Sequence, residues 1–181
     1  MDKKQKIIEA ATALIKEQGY DKTSVSQIVK RAGVAQGTYY LYFGAKSDLV
    51  TEIASSILLD QLARIQERAE GLNLSETIDV IIDVSFDVTR ETSELITFLY
   101  SGFAFDDSFE KWDSIYRPYY EWLTGRIDSA GPYSGKEELA RLIVGVTEHA
   151  AEAYYLSKQR QNDEETARSN VKQLLQRAIG A

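Results

Sequence analysis

Over positions 36 to 46 the chain places Gln36, Thr38, Tyr40, Tyr42 and Lys46, which are an amide, three hydroxyls and an ammonium. None is a strong nucleophile. They are groups that hydrogen-bond and neutralise rather than break bonds. A Gln amide can meet the adenine edge in bidentate fashion, a contact worth roughly 1 to 3 kcal/mol of discrimination. Hydroxyls and a Lys suit phosphate oxygens and, less surely, base edges. Catalytic chemistry has little to build on. With one His, no Cys and no Gly-rich phosphate loop, there is no metal, nucleotide or nucleophile constellation, and no cofactor is called for. The acid pairs Asp106-Asp107 and Glu137-Glu138 read as surface charge.

A second concentration of side chains lies further on. Tyr100, Phe103, Phe105, Phe109, Trp112, Tyr116, Tyr119 and Tyr120 fall within 21 positions. Hydrophobic core accounts for part of this run. Its density also points to a cavity with polar tips turned inward, for which Tyr100, Phe103, Trp112, Tyr116 and Tyr119 are the candidates. His149, the single histidine, reads first as a packed or interface residue on its apolar stripe, and second as a ligand-contacting or pH-sensing member of that candidate pocket. Glu148 and Glu152 flank it four residues apart. They suit a solvated helix face, or, if they face the pocket, a cationic ligand held with help from aromatic rings.

The elements that must position the first group are short helices. Ser24 with Gln27 has capping-box spacing, and Thr23 offers a second cap. Val25, Ile28 and Val29 then form one apolar face. Ala32-Gly33-Val34 follows, and Gly33 can take the positive φ that ends a helix and reverses the chain. This is a helix-turn-helix signature. In its second helix Tyr39 and Phe43 share an inward face, which leaves Gln36, Thr38, Tyr40 and Tyr42 to point elsewhere. Lys30 and Arg31 on the first of the two helices suit either solvent or phosphate.

Residues 3 to 18 predict a preceding amphipathic helix, closed by Gly19. A long helix is expected from Lys46 to about Glu70 on the stripe Leu49, Ile53, Ile57, Leu58, Leu62 and Ile65. Asn73 with Glu76 caps the next, which runs through Ile78, Ile81, Ile82, Ser85 and Val88 to about Glu91. A short helix around Leu95 to Leu99 comes after it, and then the aromatic segment, with a kink or boundary at Pro118. The last two helices span roughly Lys136 to Arg160 and Asp163 to Ile179. In the first of them Leu139, Leu142, Ile143, Val146, Ala150 and Ala153 fall on one side. The expected fold is all-α, with about nine helices in two parts. Residues 1–45 form a three-helix head, and residues 46–181 form a larger helical body.

Composition bounds the function class. At 181 residues, 44% hydrophobic and 27% charged with 2 Pro, the chain is long enough for a sizeable core. No apolar run approaches the roughly 18 residues that span a bilayer, and no secretory leader is apparent, so a cytoplasmic location is expected. The net charge of −7 hides an asymmetry: residues 1 to 50 hold 8 Lys/Arg against 5 Asp/Glu, net +3, and the other 131 hold 13 against 23, net −10. A basic head on an acidic body fits contact with a polyanion at one end only.

The stretch GVAQGTYYLYFGAKSDL closely resembles the signature of the TetR/AcrR family of bacterial transcriptional regulators. The resemblance implies a homodimeric, ligand-responsive regulator, most often a repressor released from a palindromic operator by a small molecule. It places Gln36, Gly37, Thr38, Tyr40 and Tyr42 at the DNA surface and Lys46 on a phosphate. The effector would be hydrophobic or aromatic, and cationic if the acidic residues of the body face it. The last two helices of each subunit would form the dimer interface as a four-helix bundle. Gly44 and Ala45 depart from the pattern, which commonly has a basic residue and a Ser or Asn cap there. That departure keeps open a helical interaction protein that has lost specific DNA binding.

Overall fold

The computed structural model describes residues 2–102, 108–129, 133, 135–157 and 162–180, with side chains at 98, 100–102, 108, 109 and 111 left aside. Among these residues the protein consists of eight helices and no strands. They are α1 (Lys3–Gln18), α2 (Val25–Ala32), α3 (Gln36–Tyr42), α4 (Lys46–Arg68), α5 (Leu74–Gly102), α6 (Ser108–Thr124), α7 (Lys136–Leu156) and α8 (Glu164–Ile179). The all-helical architecture follows the period-3.6 patterning of the sequence. The expected short helix near Leu95 is instead the continuation of α5. Between Thr89 and Leu95 the chain is polar or half-buried, but it contains no Gly or Pro to stop the helix, so the backbone runs through. Pro118 likewise lies inside α6 rather than at an end.

The chain groups into two compact units, Met1–Ile57 with Glu94–Trp112, and Leu58–Ser93 with Asp113–Ala181. In the first, α1 buries Ile7, Ile8, Ala11, Leu14 and Ile15. Ile28, Val29, Tyr39, Phe43, Leu49 and Ile53 complete that core. Each such fully buried aliphatic contributes about 1.5 to 3 kcal/mol from removal of apolar surface. The helix-turn-helix caps form as the spacing requires. Ser24 Oγ accepts from the Gln27 amide at 3.3 Å while Gln27 Oε1 accepts from the Ser24 amide at 2.8 Å. Gly33 sits at φ 65° and closes α2.

In the second unit, Leu62 and Ile65 of α4 are buried, as are Ile78, Ile81, Ile82 and Phe86 of α5. So are Tyr119 and Leu123 of α6 and Ile143, Val144 and Ala151 of α7. Asn73 and Glu76 cap α5 reciprocally, each side chain accepting the other's amide at 3.0 Å. Arg126 ties the end of α4 to the start of α5 by donating to the carbonyls of Ala69 (2.9 Å) and Leu72 (2.8 Å). Arg168 on α8 plays a comparable part, reaching the Asp83 carbonyl at 2.8 Å and the carboxylates of Asp87 at 2.8 Å and Glu164 at 2.6 Å.

α7 turns a different face inward from the single stripe expected of it. Leu139, Ala140, Ile143, Val144, Thr147 and Ala151 are buried, whereas Leu142, Gly145, His149 and Ala153 are exposed. The helix is apolar or small around most of its circumference, so its hydrophobic period cannot by itself set the rotation about its axis. On α8 the same division separates buried Val171 and Leu175 from exposed Leu174.

Candidate functional site

The first candidate surface is built by α3. Tyr39 and Phe43 anchor the helix from beneath, fully buried with ring centroids 5.2 Å apart. The Tyr39 hydroxyl donates to the Ala45 carbonyl at 3.4 Å, and burial pushes its pKa up to about 12, so it stays a neutral donor. With those two residues fixed, helical geometry sends the intervening side chains outward. Gln36, Gly37, Tyr40 and Tyr42 are exposed and Thr38 is half-buried. Leu41 is 82% exposed, the most solvent-facing of the exposed large apolar side chains. The five expected residues of α3 therefore lie together on one short exposed element.

Lys46 is engaged with its own protein. Its ammonium donates to the Tyr20 carbonyl and sits 3.6 Å from the centroid of the Tyr20 ring. Partial burial holds its pKa below the usual Lys range, with Asp21 opposing. Beside it, the missing cap at Ala45 is replaced in part: Asp48 Oδ2 accepts the Ala45 amide at 3.0 Å, which secures the start of α4 electrostatically as well as by hydrogen bonding. Arg31 is paired with Glu17, Nη2 donating to Oε1 at 2.7 Å, whereas Lys30 is exposed.

Four helices of the second compact unit bring together a polar cluster. Gln61 of α4 and Ser85 of α5 are buried, and both donate to Glu148 Oε1 of α7, at 2.6 Å and 2.8 Å. Gln61 also donates to Ser85 Oγ at 3.0 Å. Tyr119 of α6, only 2% exposed, lies alongside, its hydroxyl close to Ser85 and Gln61 but outside good hydrogen-bond geometry. Glu148 is half-buried, with Oε1 held by those two donors. Burial raises its carboxyl group to about 7, the hydrogen bonds from Ser85 and Gln61 oppose the rise, and Glu152 adds to it. Burial likewise drives the Tyr119 phenol well above its ordinary value.

Of the aromatic candidates, Tyr119 belongs to this cluster. Tyr116 is half-buried and stacks on Tyr120, with centroids 5.8 Å apart and planes at 19°. Trp112 is half-buried and falls in the first compact unit. Phe103 and the Tyr100 side chain lie outside the described residues. His149 is exposed beside Leu142 and is not brought to the cluster. Gln61 and Ser85 were not among the expected residues. The available signal was that each is a polar residue placed on an otherwise apolar helical stripe. A separate open groove of about 340 Å³ is lined by Arg117, Tyr120, Glu121, Thr124, Glu137 and Arg141. Its Arg141 is committed to Asp113 and, at 3.1 Å, to Glu137. Among the described residues no group of three or more His, Cys, Asp or Glu could hold a metal, and no helix is long and apolar enough to cross a membrane.

Comparison with known proteins decides what this pair of surfaces belongs to. Residues 7–53 match the family profile described as bacterial regulatory proteins, tetR family. Residues 78–179 match the one described as tetracyclin repressor-like, C-terminal domain. The uncharacterized HTH-type transcriptional regulator YvdT of Bacillus subtilis (strain 168) is 38% identical over 185 residues, covering 98% of this chain and 95% of its own. The chain belongs to the TetR family. This TetR-family chain is a ligand-responsive, DNA-binding transcriptional regulator. The fatty acid metabolism regulator protein of B. subtilis is 36% identical over 85 residues, 46% of this chain and 44% of its own. Solved structures share the fold. FadR of B. subtilis in complex with stearoyl-CoA superposes with a TM-score of 0.72 at 23% identity, covering 96% of this chain and 98% of that one. SCO7518 of Streptomyces coelicolor A3(2) does so with 0.75 at 18% identity, covering 99% of each.

Proposed function

We propose that this TetR-family regulator is a cytoplasmic repressor that binds a palindromic operator as a homodimer and leaves it when a small apolar molecule enters the body. The observation that carries the DNA surface is the α3 face, where Gln36, Thr38, Tyr40 and Tyr42 surround buried Tyr39 and Phe43. Gln36 reads a base edge, Thr38, Tyr40 and Tyr42 hold phosphate oxygens or base edges, and Gly37 admits the backbone closely. Lys46 reaches a phosphate by exchanging its Tyr20 carbonyl for the anion. The head, residues 1–45, reads DNA, and the body, residues 46–181, binds the effector and pairs the subunits.

Pairing uses the outward faces of α7 and α8, where Leu142 and Leu174 are 44% and 57% exposed. Exposed apolar side chains on adjacent helices suit an isologous four-helix interface. Two recognition helices about 34 to 36 Å apart would then enter successive major grooves. An effector that binds one head spacing better than the other by roughly 1 to 3 kcal/mol lowers operator occupancy between about fivefold and 150-fold. The stearoyl-CoA held by FadR supports an effector with a long apolar part.

A mobility-shift titration on the DNA upstream of the protein's own gene tests the reading. Tyr40→Ala and Lys46→Ala each weaken specific binding by about tenfold or more, on the scale of one or two lost polar contacts. Wild-type affinity for every DNA in both variants refutes the assigned surface.

A further inference from the structure

The outward face of α3 carries an apolar crest between polar flanks. Leu41 is 82% exposed, against 52% for Tyr40 and 41% for Tyr42 on either side of it in the chain. Helical geometry gives the reason. At about 100° per residue, the positions two before and two after Tyr39 both lie roughly 160° round the helix from it. Those positions are Gly37 and Leu41, and Tyr39 is the fully buried anchor. Gln36 and Tyr40 fall on one flank of this crest, Thr38 and Tyr42 on the other. Gly37 keeps the crest low beside Leu41. A Cβ at Gly37 would meet nothing within 4 Å beyond its chain neighbours and the helix's own backbone. Packing inside the protein therefore does not call for a glycine there, although Gly is among the poorest helix formers.

We propose that Leu41 is a base-reading residue of this regulator and packs on the C5-methyl group of a thymine in the major groove of its operator. The inference rests on α3 being the DNA-reading element. A helix laid in the groove with Tyr39 facing its own core directs the crest at the base edges and the flanks at the groove walls, where the phosphates stand. Leu41 has no hydrogen-bonding side-chain atom, so it reads only shape and apolarity. Thymine alone presents a methyl group on that edge. Against guanine, Leu41 would cover the O6 and N7 acceptors, and against adenine or cytosine an amino donor, without supplying a partner. Gly37 leaves the space through which the helix comes close enough for a side chain of this length to reach the groove floor.

A duplex enriched from a random pool by the full-length wild-type protein serves as the probe, with each of its thymines replaced in turn by deoxyuridine. That base keeps every hydrogen-bonding group and lacks only the methyl. In fluorescence-anisotropy titrations, replacement at one or more positions weakens wild-type binding about fourfold, the worth of one buried methyl group. Leu41→Ala binds the unreplaced duplex at least about fourfold more weakly than wild type does, and loses nothing further to deoxyuridine at those positions. A methyl effect acting through duplex shape would persist in this variant, so the paired substitutions isolate the contact. Leu41→Met, apolar and of similar volume, keeps part of the discrimination. Because Leu41 is exposed, both variants fold as wild type does. Tyr40→Ala weakens binding to every duplex by a common factor and keeps the deoxyuridine penalty. Wild type that tolerates every replacement overturns the proposal, as does Leu41→Ala that retains the full wild-type penalty. Where either result accompanies weakened binding by Tyr40→Ala, the role of Leu41 fails and the α3 surface stands. Where Tyr40→Ala also binds as wild type does, the reading of α3 fails with it. A pool from which wild type enriches no sequence overturns both.

Discussion

Glu148 is the residue at which burial and chemistry conflict most. Its carboxyl is raised by burial to about 7 from an ordinary 4.5, so the folded protein retains a proton that the unfolded chain releases in that interval. Stability contributed by the neutral acid is therefore complete below about pH 4.5 and is lost as pH rises towards 7. The loss amounts to about 3 kcal/mol at most. Urea melts at pH 5 and pH 8 should show wild type losing stability between them relative to Glu148→Gln, whose neutral amide cannot titrate. Parallel behaviour of the two proteins would show that Glu148 is ionised throughout. Of the other groups around it, Tyr119 stays neutral across this range, because its phenol is raised well above 10, and Gln61 and Ser85 do not ionise. Glu152 is the remaining acid. The carboxylates whose pKa values are lowered, Glu17, Asp113, Asp163 and Glu164, act in the opposite sense and below pH 5, and they cancel in the comparison.

At the scale of elements, ends matter more than middles. α2 has only 8 residues, too few to persist by propensity alone, so its capping box and its packing keep it folded. Ser24→Ala should cost about 1 kcal/mol, the usual worth of an N-cap, measurable by chemical denaturation. A change below 0.3 kcal/mol would mean that tertiary packing alone holds the turn. The C-terminus of α4 has a further device, since the Ala69 carbonyl just past its end, which also accepts the Leu72 amide at 3.2 Å, and the Leu72 carbonyl both accept from Arg126. Arg126→Met keeps the aliphatic stem but removes both donated hydrogen bonds, and should destabilise the protein by about 1 to 3 kcal/mol, chiefly through the Leu72 carbonyl. Unchanged denaturation of that variant would show that water replaces the guanidinium without loss. The length of α5 makes the converse point: changes in apolar content along a helix do not end it when no Gly, Pro or competing cap is present.

At the scale of the molecule, the proposed operator reading needs two copies, because one short recognition helix contacts too few bases to select an operator. Leu142→Asp combined with Leu174→Asp places a charge on each outward face of α7 and α8 without touching the buried side of either helix. Sedimentation should shift from dimer to monomer at micromolar concentration. Operator binding should fall by more than tenfold, with helix content by circular dichroism unchanged. A dimer that survives both substitutions would move the interface elsewhere. The net +3 of the first 50 residues against −10 for the remainder also makes binding salt-sensitive, since only the head neutralises phosphates.

What the sequence determined by itself was local. The helix-turn-helix, the Ser24–Gln27 and Asn73–Glu76 caps, the inward turn of Tyr39 and Phe43 and the start of α4 at Lys46 all depend on residues within about one helical turn, where periodicity and capping act directly. The rest depended on distant partners. Glu148 and His149 are neighbours with the same apparent claim to a pocket, yet Glu148 meets Ser85 and Gln61, 63 and 87 residues away in the chain, while His149 is exposed. Their fates were set by the rotation of α7 about its own axis. Because apolar or small residues cover about two thirds of that helix's circumference, packing against α4, α5 and α6 chose which part of that surface faced in. Lys46 shows the same dependence, for a side chain that a local reading aims at phosphate is turned by tertiary contact onto Tyr20, 26 positions earlier.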